Sequence, residues 1–153
     1  MATDWQPYDF LLGDWEGGHA GDPGAGHGIF SFSFDLDRNI LVRKSHTVFP
    51  DTPERRGYAH DDLLIIYTEN TGEMRAIYFD NEEHVIHYRV DHSTDKETIT
   101  LESNPEPAAP QFRFTYIKTG DDTMMNRFEM TPPGKPGAFF TYIEGTSRRI
   151  SSS

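Results

Sequence analysis

The stretch LLIIYTENTGEMRAIYFDNEEHVIHYRV, from Leu63 to Val90, contains three short β-type segments separated by two turns. Its β-branched and aromatic side chains favour strands, while NTG at 70–72 and DNEE at 80–83 are typical turn sequences. The stretch therefore predicts three consecutive antiparallel strands joined by hairpins.

The same pattern of short β-type segments and turns continues in both directions along the chain. In segment 29–34, three phenylalanines alternate with serines, which is typical of a strand with one buried face. The pattern predicts ten strands in total, at 15–19, 29–34, 40–49, 58–68, 74–79, 84–90, 96–102, 112–116, 124–130 and 138–148. A short helical turn is expected at 6–12, where it would plug one end of the fold.

Ten short strands without a convincing long helix predict an all-β protein with a single domain over residues 1–153. The strand number and turn spacing favour a single antiparallel up-and-down β-barrel, in which the last strand pairs with the first and no edge is exposed. The glycine-rich segment 17–28 is expected to form a flexible portal over the barrel mouth. An interior of this kind holds either a packed core or a small ligand.

Composition limits the classes of function. The chain has no cysteine, which excludes disulfides, thiolate nucleophiles and zinc–thiolate sites. Its formal net charge of −11 opposes binding to nucleic acid or to an anionic membrane surface. No apolar segment approaches the roughly 20 residues of a membrane-spanning helix, and the first ten residues lack the features of a signal peptide. We therefore expect a cytoplasmic protein with no nucleic-acid or membrane partner.

A Gly-x-Trp sequence, Gly13-Asp14-Trp15, precedes the first predicted strand, and Arg148-Arg149 ends the last one. This combination resembles lipocalins and other calycins, in which an arginine stacks over the tryptophan; the resemblance implies that Arg148 or Arg149 takes this place here. The segments FLLGDWEG, HDDLLIIY, RAIYFDNEEHVIHY and TYIEGTSRR are similar to a group of bacterial lipocalin-like barrels without an assigned activity. The resemblance implies a calycin-like barrel that holds a small molecule, with Trp15 and Arg148 closing its structural end.

Two more distant resemblances bear on the ligand. Nitrobindin is a ten-stranded calycin that holds haem through a histidine near its C-terminus, but the last histidine here is His92. Because an axial ligand is the first requirement of a haem site, we expect no haem and no other cofactor.

Fatty-acid-binding proteins use a buried arginine for carboxylates. Here Arg127 and Glu129 are expected to pair on the outer surface, and Arg43 with Lys44 to be solvated strand charge.

Strand phase selects the candidate ligand-binding residues, because residues two apart in a strand share a face. The expected aromatic wall consists of Phe30, Phe32, Phe34, Phe114, Phe128 and Tyr142. The expected polar contacts are His46, Tyr78, His84 and Asn126. An amide at Asn126 would lie on an apolar face and need a partner. Two of these assignments have an alternative. His46 could instead lie with Lys44 on a solvated face, and His84 could instead cap its turn.

These residues predict that the barrel binds a small, largely apolar molecule and acts as a carrier or sensor. One alternative is an enzyme that uses His46, Tyr78 and His84 for acid–base chemistry. Others are a haem protein, or a barrel filled by its own side chains that serves as a structural or partner-binding module. No metal site is expected, because His84 and His87 would face opposite sides of one strand.

The outer surface of the barrel carries a possible interface. The run from Leu63 to Ile66 is apolar on both faces, and Ile77 and Phe79 are expected to point outward. Apolar residues on the outside of a barrel need to be covered, so this face predicts a possible homodimer.

Overall fold

A computed structural model of the chain describes residues 2–18 and 27–151. It contains a 3-10 helix at Gln6–Leu11 followed by ten strands. These are β1 (Gly13–Gly18), β2 (His27–Asp35), β3 (Ile40–Phe49), β4 (Tyr58–Thr68), β5 (Met74–Asp80), β6 (Val85–His92), β7 (Thr98–Ser103), β8 (Phe112–Lys118), β9 (Thr123–Met130) and β10 (Phe140–Ser151).

Each strand pairs antiparallel with its neighbours in sequence, and β10 pairs with β1, so the sheet closes into an up-and-down barrel. The predicted fold class is confirmed. Residues 19–26, most of the predicted glycine-rich portal, lie outside the described residues. Within the part that the structure describes, no helix is long and apolar enough to cross a membrane.

The 3-10 helix closes one end of the barrel, as predicted. Asp4 Oδ1 accepts a hydrogen bond of 3.0 Å from the amide of Gln6 at the start of the helix. Tyr8, Phe10 and Leu11 are buried in the core. We call the half of the barrel next to this helix the closed half, and the half that ends at the β3–β4, β5–β6 and β7–β8 loops the open half.

Arg149, and not Arg148, covers Trp15 at the closed end. Arg149 lies opposite Trp15 in the β1–β10 register, with its guanidinium 4.4 Å from the ring centroid. It also donates hydrogen bonds to the carbonyls of Phe10 and Leu12. Of the two arginines considered, Arg149 takes the stacking place, and the choice of Arg148 to close this end was wrong: adjacent strand residues face opposite sides, and Arg148 pairs with Glu16.

The interior of the closed half is filled by side chains. The inward residues that are at most 2 % exposed include Phe32, Leu41, Ile66, Ile99, Leu101 and Met124. The ring of Phe32 meets those of Phe30 and Tyr116 edge-on, with centroids 6.1 and 5.4 Å apart. Phe32, which strand phase placed on the ligand wall, is therefore part of the packed core.

Replacing Phe32 with alanine tests this packing. Phe32→Ala is expected to lower the free energy of unfolding by about 3–5 kcal/mol, because the cavity left by the ring cannot collapse completely. Ile29→Ala is the matched control on the same strand, since Ile29 is 51 % exposed and faces outward. Its effect should stay within about 0.5 kcal/mol. Equal losses in chemical denaturation would contradict a packed closed half.

Candidate functional site

Three neighbouring strands direct polar and charged side chains into the barrel. Arg43 lies on β3, His60 and Asp62 on β4, and Tyr78 and Asp80 on β5. Asp62 lies opposite Asp80 in the register, and alternation puts all five on the inner face. The side chains of Arg43, Asp62 and Asp80 are 11, 6 and 2 % exposed. The barrel therefore has a charged centre, which we call the polar centre.

Arg43 and Asp62 form a buried ion pair in the polar centre. Arg43 Nη1 lies 3.6 Å from Asp62 Oδ1, which is longer than a hydrogen bond. The guanidinium also lies over the rings of Phe30, Phe114 and Tyr116, at 5.4, 5.5 and 6.0 Å from their centroids. Burial opposes the charge on Arg43, but Asp62 and the nearby tyrosines together outweigh it and raise its pKa. The guanidinium is therefore always protonated.

A chain of hydrogen bonds runs from His60 to the rim of the open half. The hydroxyl of Tyr78 lies 3.0 Å from His60 Nε2 and donates to Asp80 Oδ2, also at 3.0 Å. His84 Nδ1 contacts the same oxygen at 2.9 Å. Asp80 Oδ1 accepts the backbone amides of Glu82 and His84 at 2.9 and 3.0 Å. Burial opposes ionisation of Asp80, but these hydrogen bonds prevail and lower its pKa.

Two carboxylates hold a proton on His60. Its Nε2 lies 3.4 Å from Asp62 Oδ2, and its Nδ1 lies 3.4 Å from Glu82 Oε1. The interaction with Asp62, helped by Glu82, outweighs burial and raises the pKa of His60 to about 9. Burial raises the pKa of Tyr78 far above its usual value. At neutral pH these shifts favour the imidazolium form of His60 and the neutral phenol of Tyr78.

Four buried polar atoms of the barrel interior have no hydrogen-bond partner among the described residues. They are Arg43 Nε, Asp62 Oδ1, Tyr116 Oη and Asn126 Oδ1. Tyr116 and Asn126 lie opposite each other on β8 and β9. Leaving such a group unpaired costs about 1–3 kcal/mol, so a buried polar atom is normally satisfied by protein, by water or by a ligand. Together the four atoms present both donors and acceptors to the interior.

The inward aromatic side chains of the open half are less deeply buried than most of those of the closed half. Phe112, Phe114 and Phe128 point inward from β8 and β9 but are only partly buried. The rings of Phe112 and Phe128 stack with their centroids 5.9 Å apart. Next to these rings, Gly145 and Gly17 occupy inward positions of β10 and β1. The open half thus has an aromatic inner face next to the polar centre.

The structure brings some of the predicted ligand-binding residues together. Phe30, Tyr78, Phe114, Asn126 and Phe128 all face the interior of the barrel. Asn126 Nδ2 donates to Ser147 Oγ at 2.8 Å, which provides one partner for the buried amide. Phe34 also faces inward, but it packs on Trp5 in the closed half, with ring centroids 5.5 Å apart.

Three predicted residues are exposed and do not lie on the inner face of the barrel. His46 lies opposite Ile29, so it faces outward, where it is exposed and contacts Asp61. Tyr142 lies at the register shift of β10 and is 62 % exposed, although its ring meets that of Phe128 edge-on, with the two centroids 6.2 Å apart. His84 is exposed at the rim and bonds Asp80 through both its amide and its ring, as the turn-capping alternative expected. Of the residues proposed for acid–base chemistry, only Tyr78 and His84 therefore meet, through Asp80.

The sequence analysis missed the arginine of the polar centre. Arg43 was interpreted as a solvated strand charge, yet it lies on the inner face of β3 together with Leu41. β3 carries apolar residues on both faces, with Leu41 on the inner face and Val42 and Val48 on the outer face. The sequence alone therefore does not show which face of β3 points into the barrel. Only pairing with β2, where Arg43 lies opposite Phe32, resolves that phase.

The expected outer pair of Arg127 and Glu129 has different partners. Arg127 Nε pairs with Glu144 at 3.1 Å, whereas Glu129 accepts two hydrogen bonds from Arg113, at 3.0 and 2.8 Å. Both ion pairs join neighbouring strands, because directly opposed side chains lie closer than residues two apart on one strand.

Comparison with known proteins supports the fold. The chain is similar to the crystal structure of Rv2717c from M. tuberculosis, with a TM-score of 0.64 and 14 % sequence identity, over 99 % of this chain and 100 % of that one. At this identity the similarity concerns the barrel fold alone. No protein-family model and no curated protein sequence matches the chain.

The raised pKa of His60 predicts a pH-dependent stability. The folded protein holds the His60 proton more tightly than the unfolded chain, so its stabilising effect is complete below about pH 6.5. The free energy of unfolding should fall as the pH rises from 6.5 to about 9. Denaturation with chelator present, compared with His60→Gln, measures this slope. An NMR titration that placed the His60 pKa near 6.5 would contradict the arrangement.

Proposed function

We propose that the protein binds a small molecule with an apolar body and one uncharged polar end in the open half of the barrel, as a carrier or sensor. The observation that supports this most directly is the set of unpartnered interior atoms around Arg43 and Tyr116. A hydroxyl, carbonyl or amide group placed there would form hydrogen bonds with these atoms, whose burial without a partner otherwise destabilises the fold.

The charges of the polar centre favour an uncharged end over a carboxylate. The cations Arg43 and His60 face the carboxylates of Asp62 and Asp80, and Arg43 is already paired with Asp62. A ligand carboxylate would add a further buried negative charge close to Asp62, which is costly at low dielectric. A neutral polar group would add no charge and could still form hydrogen bonds with the atoms that have no partner among the described residues.

The aromatic wall suits the apolar body of the ligand. Phe114 lies 4.7 Å from Tyr116 and 5.9 Å from Phe128, between centroids, so the rings form a continuous surface from the polar centre toward the mouth. Aromatic rings supply large contact areas with few rotatable bonds, which limits the entropy lost on binding. A ligand of one or two rings, or a comparable aliphatic body, fits this description.

Tyr116→Phe tests the proposal with 2-naphthol as the probe. The substitution removes a hydroxyl that has no partner among the residues described, so the fold should lose little stability. Losing one hydrogen bond of about 0.5–1.5 kcal/mol should weaken 2-naphthol binding about 2- to 10-fold. Fluorescence titration measures the change.

Tyr8→Phe is the matched control. Its hydroxyl is also buried and unpartnered within the described part of the chain, but Tyr8 belongs to the helix at the closed end. Binding by this variant should be unchanged, and equal losses in the two variants would contradict the proposed location. Tighter binding of 2-naphthoate than of 2-naphthol would contradict an uncharged polar end.

Native mass spectrometry and an ultraviolet–visible spectrum of freshly purified protein address the natural ligand. A defined extra mass without a Soret band is expected if an apolar guest is retained. A Soret band would favour the haem alternative and count against this proposal. A bare mass, together with no binding of either naphthalene probe, would favour a barrel that serves only as a structural module.

We also propose that the outer apolar face of β4–β6 forms a homodimer interface. Leu63 lies opposite Phe79, which in turn lies opposite Val85, and Ile65 lies opposite Ile77. Phe79 and Val85 are 38 and 56 % exposed, so this continuous apolar strip is accessible in a single chain. In symmetric dimers an apolar strip of this kind is commonly buried against the same strip of the second subunit.

Phe79→Glu is expected to convert the dimer into a monomer, because the interface would bury an unpaired charge. Ile150→Glu is the control, since Ile150 is 51 % exposed on β10, outside this strip. Sedimentation velocity at micromolar concentration distinguishes the two states. A monomeric unsubstituted protein would contradict the proposed interface.

A further inference from the structure

We infer that His60, Asp80 and Glu82 form a binding site for a divalent transition-metal ion, of which zinc fits best, at the rim of the open half. One possible ligand atom from each residue lies within 4.8 Å of those of the other two. The three residues come from the end of β5, the following turn and the facing part of β4. This inference does not depend on the small-molecule ligand proposed for the polar centre.

The spacing of His60 and Glu82 matches a coordination sphere better than a hydrogen bond. Bonds of about 2.0–2.2 Å in a tetrahedral zinc site place neighbouring ligand atoms roughly 3.3–3.6 Å apart. His60 Nδ1 and Glu82 Oε1 are 3.4 Å apart, beyond the usual hydrogen-bond length and within that range. Because the three ligand atoms lie up to 4.8 Å apart, coordination of an ion requires a small adjustment, which the exposed Glu82 side chain can make.

Asp80 is held in place before any ion binds. Its side chain is 2 % exposed, and its Oδ1 accepts the backbone amides of Glu82 and His84. Its Oδ2 contacts Tyr78 and His84. A carboxylate oriented in this way loses little conformational entropy on coordination, which favours binding.

A buried carboxylate behind His60 is an independent indication of a metal site. Asp62 Oδ2 lies 3.4 Å from His60 Nε2, the ring nitrogen remote from Glu82. The Asp62 side chain is 6 % exposed, and its Oδ1 has no hydrogen-bond partner in the described residues. Histidines that bind metal through one nitrogen commonly donate the other N–H to a carboxylate. Asp62 therefore orients His60 with Nδ1 toward Glu82 and Asp80; a bound ion displaces the Nδ1 proton to solvent, and the Nε2 proton stays with Asp62.

The ligand types indicate the class of ion. One imidazole and two carboxylates, without thiolate, suit zinc and similar divalent ions, whereas Ca²⁺ needs six to eight oxygens and Mg²⁺ an octahedral oxygen site. The two carboxylates balance the double charge of the ion. Three protein ligands leave the fourth position to water or to His84, whose ring already contacts Asp80.

Tag-free protein, stripped with a chelator and then dialysed, provides the test. Isothermal titration with Zn²⁺ is expected to show one ion per chain, and Co²⁺ to give the visible absorption of a four-coordinate site. Glu82→Gln removes one ligand and should weaken Zn²⁺ binding at least about 10-fold, since even disturbing a residue that supports a ligand costs about 10- to 100-fold. Asp80 is left intact because it also holds the turn.

Glu83→Gln is the matched control, because Glu83 is the adjacent exposed residue of the same turn and lies outside the cluster. Its affinity should equal that of the unsubstituted protein. His46→Gln should also retain binding, which excludes the exposed His46 and Asp61 pair as the source. Equal affinities of the Glu82→Gln and Glu83→Gln variants, or no saturation at one ion per chain, would overturn the inference.

Discussion

The barrel depends on how its two chain ends meet at the closed end. Arg149 stacks on Trp15, donates to the carbonyls of Phe10 and Leu12, and pairs with Asp122 in the β8–β9 turn at 3.1 Å. One side chain thus joins the helix, the first strand, the last strand and a turn. Closure removes both sheet edges, and the buried helix covers that end of the barrel.

The polar centre divides the interior into two regions with different physical roles. Below it, Phe32 and its aliphatic neighbours stabilise the barrel by packing. At the centre, Arg43 and Asp62 are removed from water, and a buried ion pair is weak evidence for stability because desolvation offsets much of the Coulomb attraction. Asp62 contacts Arg43 on one side and His60 on the other, so it connects the interior space with the rim.

Prediction from sequence succeeded where the signal is local. Turn residues such as NTG and the alternation around Phe30 define strands within a few residues, and the number of strands then favours closure. It failed on β3, where both faces are apolar, so Arg43 was placed outside and His46 inside. It also failed at Arg148 and Arg149, where one step in register exchanges the inner and outer faces.

The sequence by itself determined the all-β class, the up-and-down order of strands and the helical plug, because turns and alternation act between neighbouring residues. Only the tertiary structure decided which charges are buried together. Arg43, Asp62 and Tyr116 are far apart in the chain and meet because the barrel closes in one particular register. No local sequence pattern predicts these contacts, because they depend on the register between strands. A one-residue slip in any strand would turn its polar side chains out to solvent.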